Sequence, residues 1–439
     1  MRFFDREREI LKLREIDELS NRVAQFTVIT GRRRIGKTSL VFKALGQQTL
    51  LYFFVSRKAE SELCMTFVSE IEEKLGVPIL GVISSFADIF EYLMKLSKQQ
   101  HITLFIDEFQ EFSKVNKSVF SDMQRIWDMY KDDAHINLIV CGSVNSLMNN
   151  IFRDKKEPLY GRHTQMMKVK PFAPSVLKEV LQQYSPVYTK EDLLALYLYT
   201  GGVAKYVEQL IDSGNTSSNQ MLNAMVEQDS YFLDEGKATL IEEFGRDYGI
   251  YFTILSLIAQ GHNTRADIES IINQQIGGYL TKLMEDYELI SKQQPLFEKS
   301  VNKNVRYVII DNFLCFWFRF IYKYNYMLEI GANNRLKQII ARDYDSYSGR
   351  ILEKYFRESL AETRRYTRIG YWHDRKGENE IDVIAADDLN QAVVVAEVKC
   401  QEQNLDMSIL RAKSEAFFKS TGQYQNYQIT YKGLSIEDM

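Results

Sequence analysis

Cysteine is scarce in this chain, and its few occurrences follow no ligand or pairing pattern. Cys64, Cys141, Cys315 and Cys400 are scattered over 439 residues, with no CxxC pair and no Cys/His spacing of a zinc site. Isolated cysteines of this kind are typical of reduced thiols in a reducing compartment. The sequence therefore predicts neither disulfides nor zinc, and it favours a cytoplasmic protein.

Long apolar runs are also missing. The most apolar stretch, Phe313 to Tyr322, is interrupted by Arg319 and is about half of the ~20 residues that a membrane-spanning helix needs. The amino terminus carries charged residues from Arg2 onward and lacks the apolar segment of a secretory signal. We therefore expect neither export nor a membrane partner.

The chain has no excess of basic residues. Its 55 lysines and arginines are outnumbered by 59 acidic residues, which gives a formal net charge of −4. A protein that coats DNA constitutively needs a broad positive surface, so this class is excluded. Any contact with nucleic acid would have to come from a local basic patch.

Short apolar runs alternate with longer amphipathic stretches in the first part of the chain. The runs are Phe26–Thr30, Leu50–Val55, Thr103–Ile106 and Ile136–Val140. This alternation predicts a parallel sheet covered by helices. A helical pattern follows from Ser175 to about Ala238, and we interpret it as a small lid.

The next segment predicts three helices followed by two strands. The helical patterns are Tyr251–Ala259, Arg265–Ile272 and Gly278–Tyr287, and the strand patterns are Leu289–Ser291 and Val305–Ile310. This order is typical of a winged helix. The third helix has one lysine against two acids, which matches phosphate contacts poorly and leaves a protein-packing role equally open.

The last part of the chain returns to an α/β pattern. It predicts a helix at Arg350–Glu362, strands near Ile381–Ala385 and Val393–Glu397, and a helix near Ser408–Phe418. Internal repeats and low-complexity linkers do not occur.

Residues 31 to 38 read Gly-Arg-Arg-Arg-Ile-Gly-Lys-Thr, the GxxxxGK[ST] pattern of a phosphate-binding loop (P-loop). Glycines let backbone amides turn inward around phosphates, the lysine reaches the β- and γ-phosphates, and the hydroxyl binds magnesium. The pattern follows an apolar strand and opens a helix, as phosphate binding at a helix amino terminus requires. We predict that ATP with Mg²⁺ is bound by Gly31, Arg32, Arg33, Arg34, Ile35, Gly36, Lys37, Thr38 and Ser39.

Two acidic residues end the apolar run that follows Ile102. Asp107 is predicted to hold magnesium through water, and Glu108 to orient or deprotonate the attacking water. A strand that merely ends in a solvated acidic loop is the alternative, and the P-loop upstream argues against it.

Ser143 and Arg162 are further candidates for the nucleotide site. Ser143 ends an apolar run, and it would touch the γ-phosphate if that strand lay between the P-loop strand and the Asp107 strand; a simple turn is the alternative. Arg162 lies in the turn-rich segment Pro158–Arg162. An arginine can neutralise charge on a transferred phosphoryl group, although an ordinary surface arginine fits the spacing equally well.

A second group of acids and lysine lies near the carboxyl end of the chain. Glu397 and Lys399 are two residues apart on a predicted strand, so both side chains face the same side. Asp382 on the preceding strand would complete a metal site, and Lys399 would position or help to deprotonate a water. This is the D…ExK arrangement of PD-(D/E)xK nucleases, many of which add a helical acid as a ligand, for which Glu353 is the candidate. Charged residues that simply cap an apolar strand are the alternative.

Several of these motifs occur together in one known group. The chain resembles the archaeal-type ATPases of the AAA+/STAND-related group at Phe3–Ile10, the P-loop, LFIDEFQ, the Gly-Ser strand end, PLYGR, Thr200–Gly202 and Val308–Phe316. The resemblance implies an ATPase, a winged helix and a carboxy-terminal domain similar to restriction endonucleases. It places Phe4 and Arg6 beside the adenine and favours Arg162 as a sensor of the γ-phosphate.

We therefore expect an α/β chain with a P-loop NTPase parallel sheet, a helical lid, a winged helix and a C-terminal restriction-endonuclease-like α/β domain. The expected boundaries are 1–175 for the ATPase core, 176–240 for the lid, 241–325 for the winged helix and 326–439 for the nuclease-like domain. The expected function is an ATP-hydrolysing switch that gates a metal-dependent DNA nuclease. The alternative is a signalling or DNA-binding ATPase whose tail binds nucleic acid or a protein without cleavage. DNA and self-association are both open as partners.

Overall fold

The computed structural model describes residues 1–79, 81–245, 248–297, 305–374 and 377–439. They form two compact units, the P-loop unit at Asp5–Lys170 and the C-terminal unit, which consists of Met1–Phe4 and Pro171–Met439. Each unit contains its own sheets and helices. Over these ranges the structure has no helix with the length and apolar character that a membrane crossing demands.

The P-loop unit is built on a parallel sheet. Its strands are β1 Gln25–Thr30, β2 Leu50–Phe54, β3 Ile102–Asp107, β4 Ile136–Cys141 and β5 Gln165–Lys168. The order is β2-β3-β4-β1-β5, and every neighbouring pair is parallel. The four predicted strands and the parallel sheet are confirmed, and β4 lies between β1 and β3 as the Ser143 prediction requires.

Helices cover both faces of this sheet. They are α1 Glu7–Ser20, α2 Lys37–Leu45, α3 Glu60–Leu75, α4 Phe86–Leu96, α5 Phe112–Val115, α6 Ser118–Tyr130 and α7 Asn145–Arg153. All residues of β3 and β4 are buried. Strands covered on both sides need apolar residues at most consecutive positions, which explains why both strands are largely apolar.

Helix α1 is fixed to the sheet by a buried carboxylate. Asp17 accepts hydrogen bonds from Thr103 Oγ1 at 2.9 Å, Asn137 Nδ2 at 2.7 Å and Gln48 Nε2 at 2.7 Å. Thr103 and Asn137 lie near the amino ends of β3 and β4. The opposite edge of the sheet, where the strands end, is therefore left to the P-loop and the predicted catalytic residues.

The C-terminal unit begins with helices in the region predicted as a lid. They are α8 Pro174–Tyr184, α9 Lys190–Thr200, α10 Ala204–Asp212, α11 Ser218–Val226 and α12 Tyr231–Phe244. Next come α13 Tyr248–Gln260, α14 Arg265–Ile272, α15 Gly277–Glu285 and the antiparallel strands β6 Ile290–Gln293 and β7 Arg306–Ile309. The predicted helices and strand pair are confirmed, while the lid and winged-helix assignments stay predictions.

The remaining elements form a separate sheet with flanking helices. They are α16 Asn312–Phe316, a π-helical turn at Trp317–Tyr322, α17 Asn325–Glu329, α18 Asn333–Glu362, β8 Arg368–His373, β9 Glu380–Asp387, β10 Ala392–Val398, α19 Met407–Thr421 and β11 Gln428–Leu434. The sheet order is β11-β10-β9-β8, with β10 and β11 parallel and the other pairs antiparallel.

One predicted helix in this region was too short. The helix predicted at Arg350–Glu362 begins at Asn333, because Leu336, Ile340 and Tyr347 continue its buried face through the polar sequence before Arg350. Strands β8 and β11 were not predicted, whereas the two predicted strands and the last helix are confirmed as β9, β10 and α19.

Candidate active sites

The P-loop connects β1 to α2 and curls around the amino end of that helix. The backbone φ angle is positive at Gly31 (141°), Arg34 (66°) and Gly36 (91°). Successive amides in such a conformation point to one side and form an anion-binding nest. A Cβ atom at Gly31 would lie 2.6 Å from the carbonyl oxygen of Val169, so only glycine fits there. The loop thus has the shape that its sequence pattern predicts.

Lys37 is the buried cation of this loop. Its Nζ donates hydrogen bonds to the carbonyl oxygens of Gly31 at 2.8 Å and Arg32 at 3.0 Å. Ile35 is buried and in contact with the Gly31 position, whereas Ser39 is exposed. The ammonium group is therefore held inside the nest, where phosphate oxygens would replace the two carbonyls.

Asp107 and Thr38, which were predicted as the magnesium ligands, lie together. Thr38 Oγ1 donates to Asp107 Oδ2 at 2.7 Å. Cys141 Sγ donates to Asp107 Oδ1 at 2.8 Å, and the Tyr52 hydroxyl donates to Oδ2 at 3.3 Å. Burial, followed by the Asp107 carboxylate, raises the pKa of both Cys141 and Tyr52, so both groups stay protonated donors. Cys141 is the last residue of β4, which is a weak sequence signal, whereas Tyr52 lies in the middle of β2 and had none.

Glu108 has a constrained backbone and side chain. Its φ is 54°, a left-handed conformation that is unusual for a side-chain-bearing residue. Its Oε2 accepts from Ser143 Oγ at 2.7 Å and from Gln110 Nε2 at 2.5 Å. Ser143 is therefore at the site and touches Glu108, and its contact with the γ-phosphate stays a prediction. Gly142 leaves room for Gln110, because a Cβ there would lie 2.0 Å from Gln110 Oε1.

The other candidates for nucleotide binding have partners of their own. Arg162 Nη2 forms an ion pair with Asp128 Oδ2 at 2.9 Å. Arg6 is buried in the P-loop unit and donates to the carbonyl oxygen of Lys170 at 2.6 Å. Phe4 belongs to the C-terminal unit, where its ring centroid lies 6.1 Å from that of Tyr184. The adenine and γ-phosphate roles of these residues stay predictions.

Asp382, Glu397 and Lys399 are joined through the C-terminal sheet. Asp382 Oδ2 accepts from the Val398 amide at 2.8 Å, and Lys399 Nζ lies 3.0 Å from Glu397 Oε1. Lys413 on α19, which sequence reasoning missed, lies 3.2 Å from the same oxygen. We refer to Asp382, Glu397, Lys399 and Lys413 as the acid–lysine cluster. Two lysines therefore share one oxygen of Glu397, while its buried Oε2 has no hydrogen-bond partner among the described residues.

Burial controls the charges around this cluster. Burial, followed by the Asp382 carboxylate, raises the pKa of Glu353 on α18 to about 7. Burial also raises the pKa of Asp382. Although burial lowers the pKa of Lys399, its hydrogen bond to Glu397 and the nearby carboxylates raise it overall. Lys399 is thus a protonated cation near neutral pH.

The acid–lysine cluster offers oxygen ligands for a hard cation. Within the described ranges, no three Asp, Glu, His or Cys side chains are arranged to hold a metal ion. Asp382 and Glu397 are two carboxylates, and Mg²⁺ commonly binds proteins through one or two carboxylates, completing its shell with waters and substrate phosphates. The buried Oε2 of Glu397 fits such an ion, and the metal roles of Glu353, Asp382 and Glu397 stay predictions.

The parallel sheet, the amide nest around Lys37 and the Thr38–Asp107 pair define a P-loop ATPase. Residues 3–210 match a family described as "ATPase domain predominantly from Archaea", and residues 317–412 match one described as "Archaea bacterial proteins of unknown function". The uncharacterized protein MJECL04 of Methanocaldococcus jannaschii is 31% identical over 410 residues, which cover 91% of this chain and 88% of that protein. The chain belongs to this archaeal-type ATPase family.

A solved structure supports the same fold. The Walker-type ATPase PABY2304 of Pyrococcus abyssi is similar with a TM-score of 0.55 and 20% identity, over 72% of this chain and 96% of that one. At this identity the likeness concerns the fold, and it agrees with the α/β architecture described above.

Proposed function

We propose that the chain is a switch in which Mg²⁺-dependent ATP hydrolysis in the P-loop unit gates metal-dependent DNA cleavage in the C-terminal unit. The observation that carries the cleavage half is Glu397. One of its oxygens is held by Lys399 and Lys413, and the other is buried without a hydrogen-bond partner among the described residues. A buried carboxylate oxygen without a partner is costly, and a bound cation would remove that cost.

The P-loop unit supplies each group that ATP hydrolysis needs. The amide nest binds phosphate oxygens, and Lys37 exchanges its loop carbonyls for the β- and γ-phosphates. Thr38 and Asp107 supply oxygen ligands for Mg²⁺, which neutralises phosphate charge when bound. Cys141 and Tyr52 hold Asp107 in place.

Glu108 is positioned to act on the attacking water. Ser143 and Gln110 both bind its Oε2 and so fix the plane of the carboxylate. Oε1 forms no hydrogen bond to any described group and is therefore available to orient a water and accept its proton.

The acid–lysine cluster has the groups for phosphodiester hydrolysis. Asp382 and Glu397 would hold Mg²⁺, which supplies charge stabilisation and lowers the pKa of a water when bound. The raised pKa of Lys399 favours a positioning role, in which its ammonium contacts the phosphate, over a role as a base. Lys413 offsets the charge of Glu397 from α19.

ATP hydrolysis is tested by phosphate release from the purified chain. Lys37→Ala should abolish both binding and turnover, whereas Glu108→Gln should retain ATP binding and lose turnover by at least about a hundredfold. Release that is unchanged in Lys37→Ala would contradict the assignment of the site.

DNA cleavage is tested with Mg²⁺ or Mn²⁺, with and without ATP. Glu397→Gln and Asp382→Asn should abolish cleavage, and Lys37→Ala should remove its dependence on ATP. Glu415→Gln on the exposed side of α19 is the matched control and should cleave like the wild type. Absence of any cleavage that depends on Glu397 would sink the nuclease half of the proposal.

A second candidate function is a signalling or DNA-binding ATPase whose tail binds without cutting. It is favoured by the absence of a three-ligand metal group in the described part of the chain. It predicts ATP-dependent binding of DNA or self-association that survives Glu397→Gln. Loss of all such binding in that variant would argue against it.

A further inference from the structure

The C-terminal unit contains a cavity of about 390 Å³ that neither proposed reaction uses. It lies among the β6–β7 pair, α13, α16, the π-helical turn and α18, and it reaches Glu380 at the start of β9. Its volume is within the range of about 300–1,000 Å³ that is typical of small-molecule sites. The cavity is large enough for one nucleotide unit.

Basic side chains predominate among the charged residues that line this cavity. Its cations are Arg306, Arg319, Arg350, Lys354 and Arg357, and its acids are Glu353 and Glu380. The lining therefore carries a cationic excess, whereas the whole chain has a net charge of −4. We refer to this cavity as the arginine pocket. Because the chain as a whole is acidic, a contact with nucleic acid needs a local basic patch, and this pocket is such a patch.

Two of these arginines are available to a ligand. Arg306 on β7 and Arg350 on α18 form no ion pair within the described ranges, and Arg350 is exposed. By contrast, Arg357 Nη1 donates to the carbonyl oxygen of Asp382 at 2.8 Å, and Arg319 Nη1 donates to that of Ala259 at 3.2 Å. Arg306 and Arg350 can therefore bind an anion, whereas Arg357 and Arg319 shape the wall of the pocket.

The lining also contains groups that suit a nucleotide. Tyr307, Tyr347 and Tyr371 provide aromatic surface, and Asn263 and Gln293 provide amides. Tyr347 is buried, and its hydroxyl has no oxygen or nitrogen partner among the described residues. Aromatic faces beside arginines are the combination by which proteins bind a base and its phosphate.

The arginine pocket adjoins the acid–lysine cluster. Ser346, Arg350 and Glu353 line both this cavity and a second depression, which is also lined by Val398 and Lys399. One face of α18 therefore borders both sites. A chain of phosphates that passes along this face would meet Arg350 first and Lys399 next.

We infer that the arginine pocket binds the phosphate of a nucleotide unit through Arg306 and Arg350. The nucleotide is either free or part of a nucleic-acid strand that continues to the acid–lysine cluster. The inference deepens the proposed function, and only its nucleic-acid arm rests on that proposal.

Binding in EDTA tests this inference separately from cleavage and hydrolysis. The full chain carries Lys37→Ala to remove nucleotide binding at the P-loop. The probes are a short fluorescein-labelled single strand of DNA and thymidine monophosphate. Arg350→Ala and Arg306→Ala should each raise the Kd about tenfold, the loss expected for one charged hydrogen bond to phosphate. Arg350→Lys should recover part of the affinity, because a lysine still supplies a point charge.

Arg335→Ala is the matched control, since Arg335 is an exposed arginine on the same helix that does not line the pocket. It should bind both probes like the parent. If Arg350→Ala and Arg306→Ala lose affinity for the DNA probe alone, the ligand is nucleic acid. If they lose affinity for both probes, the ligand is a free nucleotide. Either result supports the site. The inference is overturned if neither probe binds at millimolar concentration, or if Arg335→Ala weakens binding as much as Arg350→Ala.

The same assay separates this inference from the proposed function. Binding that depends on Arg350, in a protein that does not cleave DNA, would retain the arginine pocket and reject the nuclease. Cleavage that is unaffected by Arg350→Ala and Arg306→Ala would retain the nuclease and reject the pocket.

Discussion

The carboxylate of Asp107 accepts hydrogen bonds from several donors in the nucleotide site. Thr38, Tyr52 and Cys141 donate to it from three different elements. A carboxylate with several donors has a fixed orientation and needs little rearrangement when a metal ion arrives. The hydroxyl of Thr38 is the donor that is also proposed as a metal ligand.

Thr38 therefore has a testable role in magnesium affinity. Thr38→Ala should raise the Mg²⁺ concentration for half-maximal ATP hydrolysis by at least about tenfold, because one oxygen ligand is lost. Thr38→Ser keeps the hydroxyl and should behave like the wild type, and EDTA should stop hydrolysis in all three proteins. Magnesium titrations of phosphate release measure this, and equal Mg²⁺ requirements in Ala and Ser variants would contradict it.

Glu111 gives the P-loop unit an acid-sensitive ion pair. Arg57 Nε lies 2.6 Å from Glu111 Oε2, and Lys114 lies 3.4 Å from Oε1. Burial alone would raise the pKa of Glu111, but the hydrogen bond to Arg57 and both positive charges lower it below its ordinary value of 4.5. A lowered pKa in the folded state means that the ionised carboxylate stabilises the fold above pH 4.5 and stops doing so as the pH falls through the folded pKa.

Glu111→Gln should lower the free energy of unfolding at neutral pH by about 1 kcal/mol, a modest loss because Arg57 is largely exposed. The difference from the wild type should vanish as the pH falls below 4.5. Urea unfolding at a series of pH values measures it. A difference that grows in acid would have the wrong sign for this ion pair.

At the scale of elements, buried polar contacts of Asp17 join α1 to the sheet, beside the buried apolar side chains of Leu13 and Ile16. The Asp17 carboxylate accepts from β3 and β4 at once, and both donors are buried. Without this carboxylate, Thr103 and Asn137 would each lose a buried hydrogen bond that water cannot easily replace.

Asp17→Ala should therefore destabilise the P-loop unit by about 3 kcal/mol, which is large for a point change. Glu18→Ala removes a neighbouring but exposed acid on the same helix and should change stability by less than about 0.5 kcal/mol. Urea unfolding of both variants gives the comparison. Equal effects would show that the buried network contributes little.

The sequence predicted the elements whose patterns are continuous. The strands β1 to β4 are largely apolar runs, and the P-loop is a single motif. Strand β5, Gln165–Lys168, has only four residues with one buried, so its pattern does not stand out from a loop. Strand β11 alternates exposed and half-buried residues on an edge of its sheet and was missed for the same reason.

The sequence also pointed to those candidate site residues that belong to a local motif. Thr38 could be proposed because the P-loop pattern contains it, and Asp107 and Glu108 because they end an apolar run downstream of that loop. Lys413 could not, because only the packing of α19 against the sheet brings it to Glu397. The arginine pocket was likewise hidden, since its cations come from several elements that are distant in the sequence.

At the scale of the whole molecule, the division into two units predicts how ATP affects unfolding. A ligand stabilises only the state that binds it, by about 2.7 kcal/mol at a free concentration of a hundred times its Kd. If the units unfold separately, Mg-ATP should raise the unfolding temperature of the P-loop unit in calorimetry. Lys37→Ala should remove that rise.

The unfolding transition of the C-terminal unit tests whether ATP acts as a switch. Coupling between sites is reciprocal, so gating requires that Mg-ATP also changes the stability or the DNA affinity of the C-terminal unit. A C-terminal unit that is indifferent to Mg-ATP in both measurements would reject the switch while leaving the ATPase intact.

The strand order of the P-loop unit has a consequence for synthesis on the ribosome. Strand β1 is the first to be made, yet its neighbours are β4 and β5, which begin at Ile136 and Gln165. Until Ile136 has been added, the apolar residues of β1 have no strand to pair with, and such unpaired edges are prone to aggregation. Slow translation between Thr30 and Ile136 should therefore lower the yield of folded protein more than slow translation after Lys168.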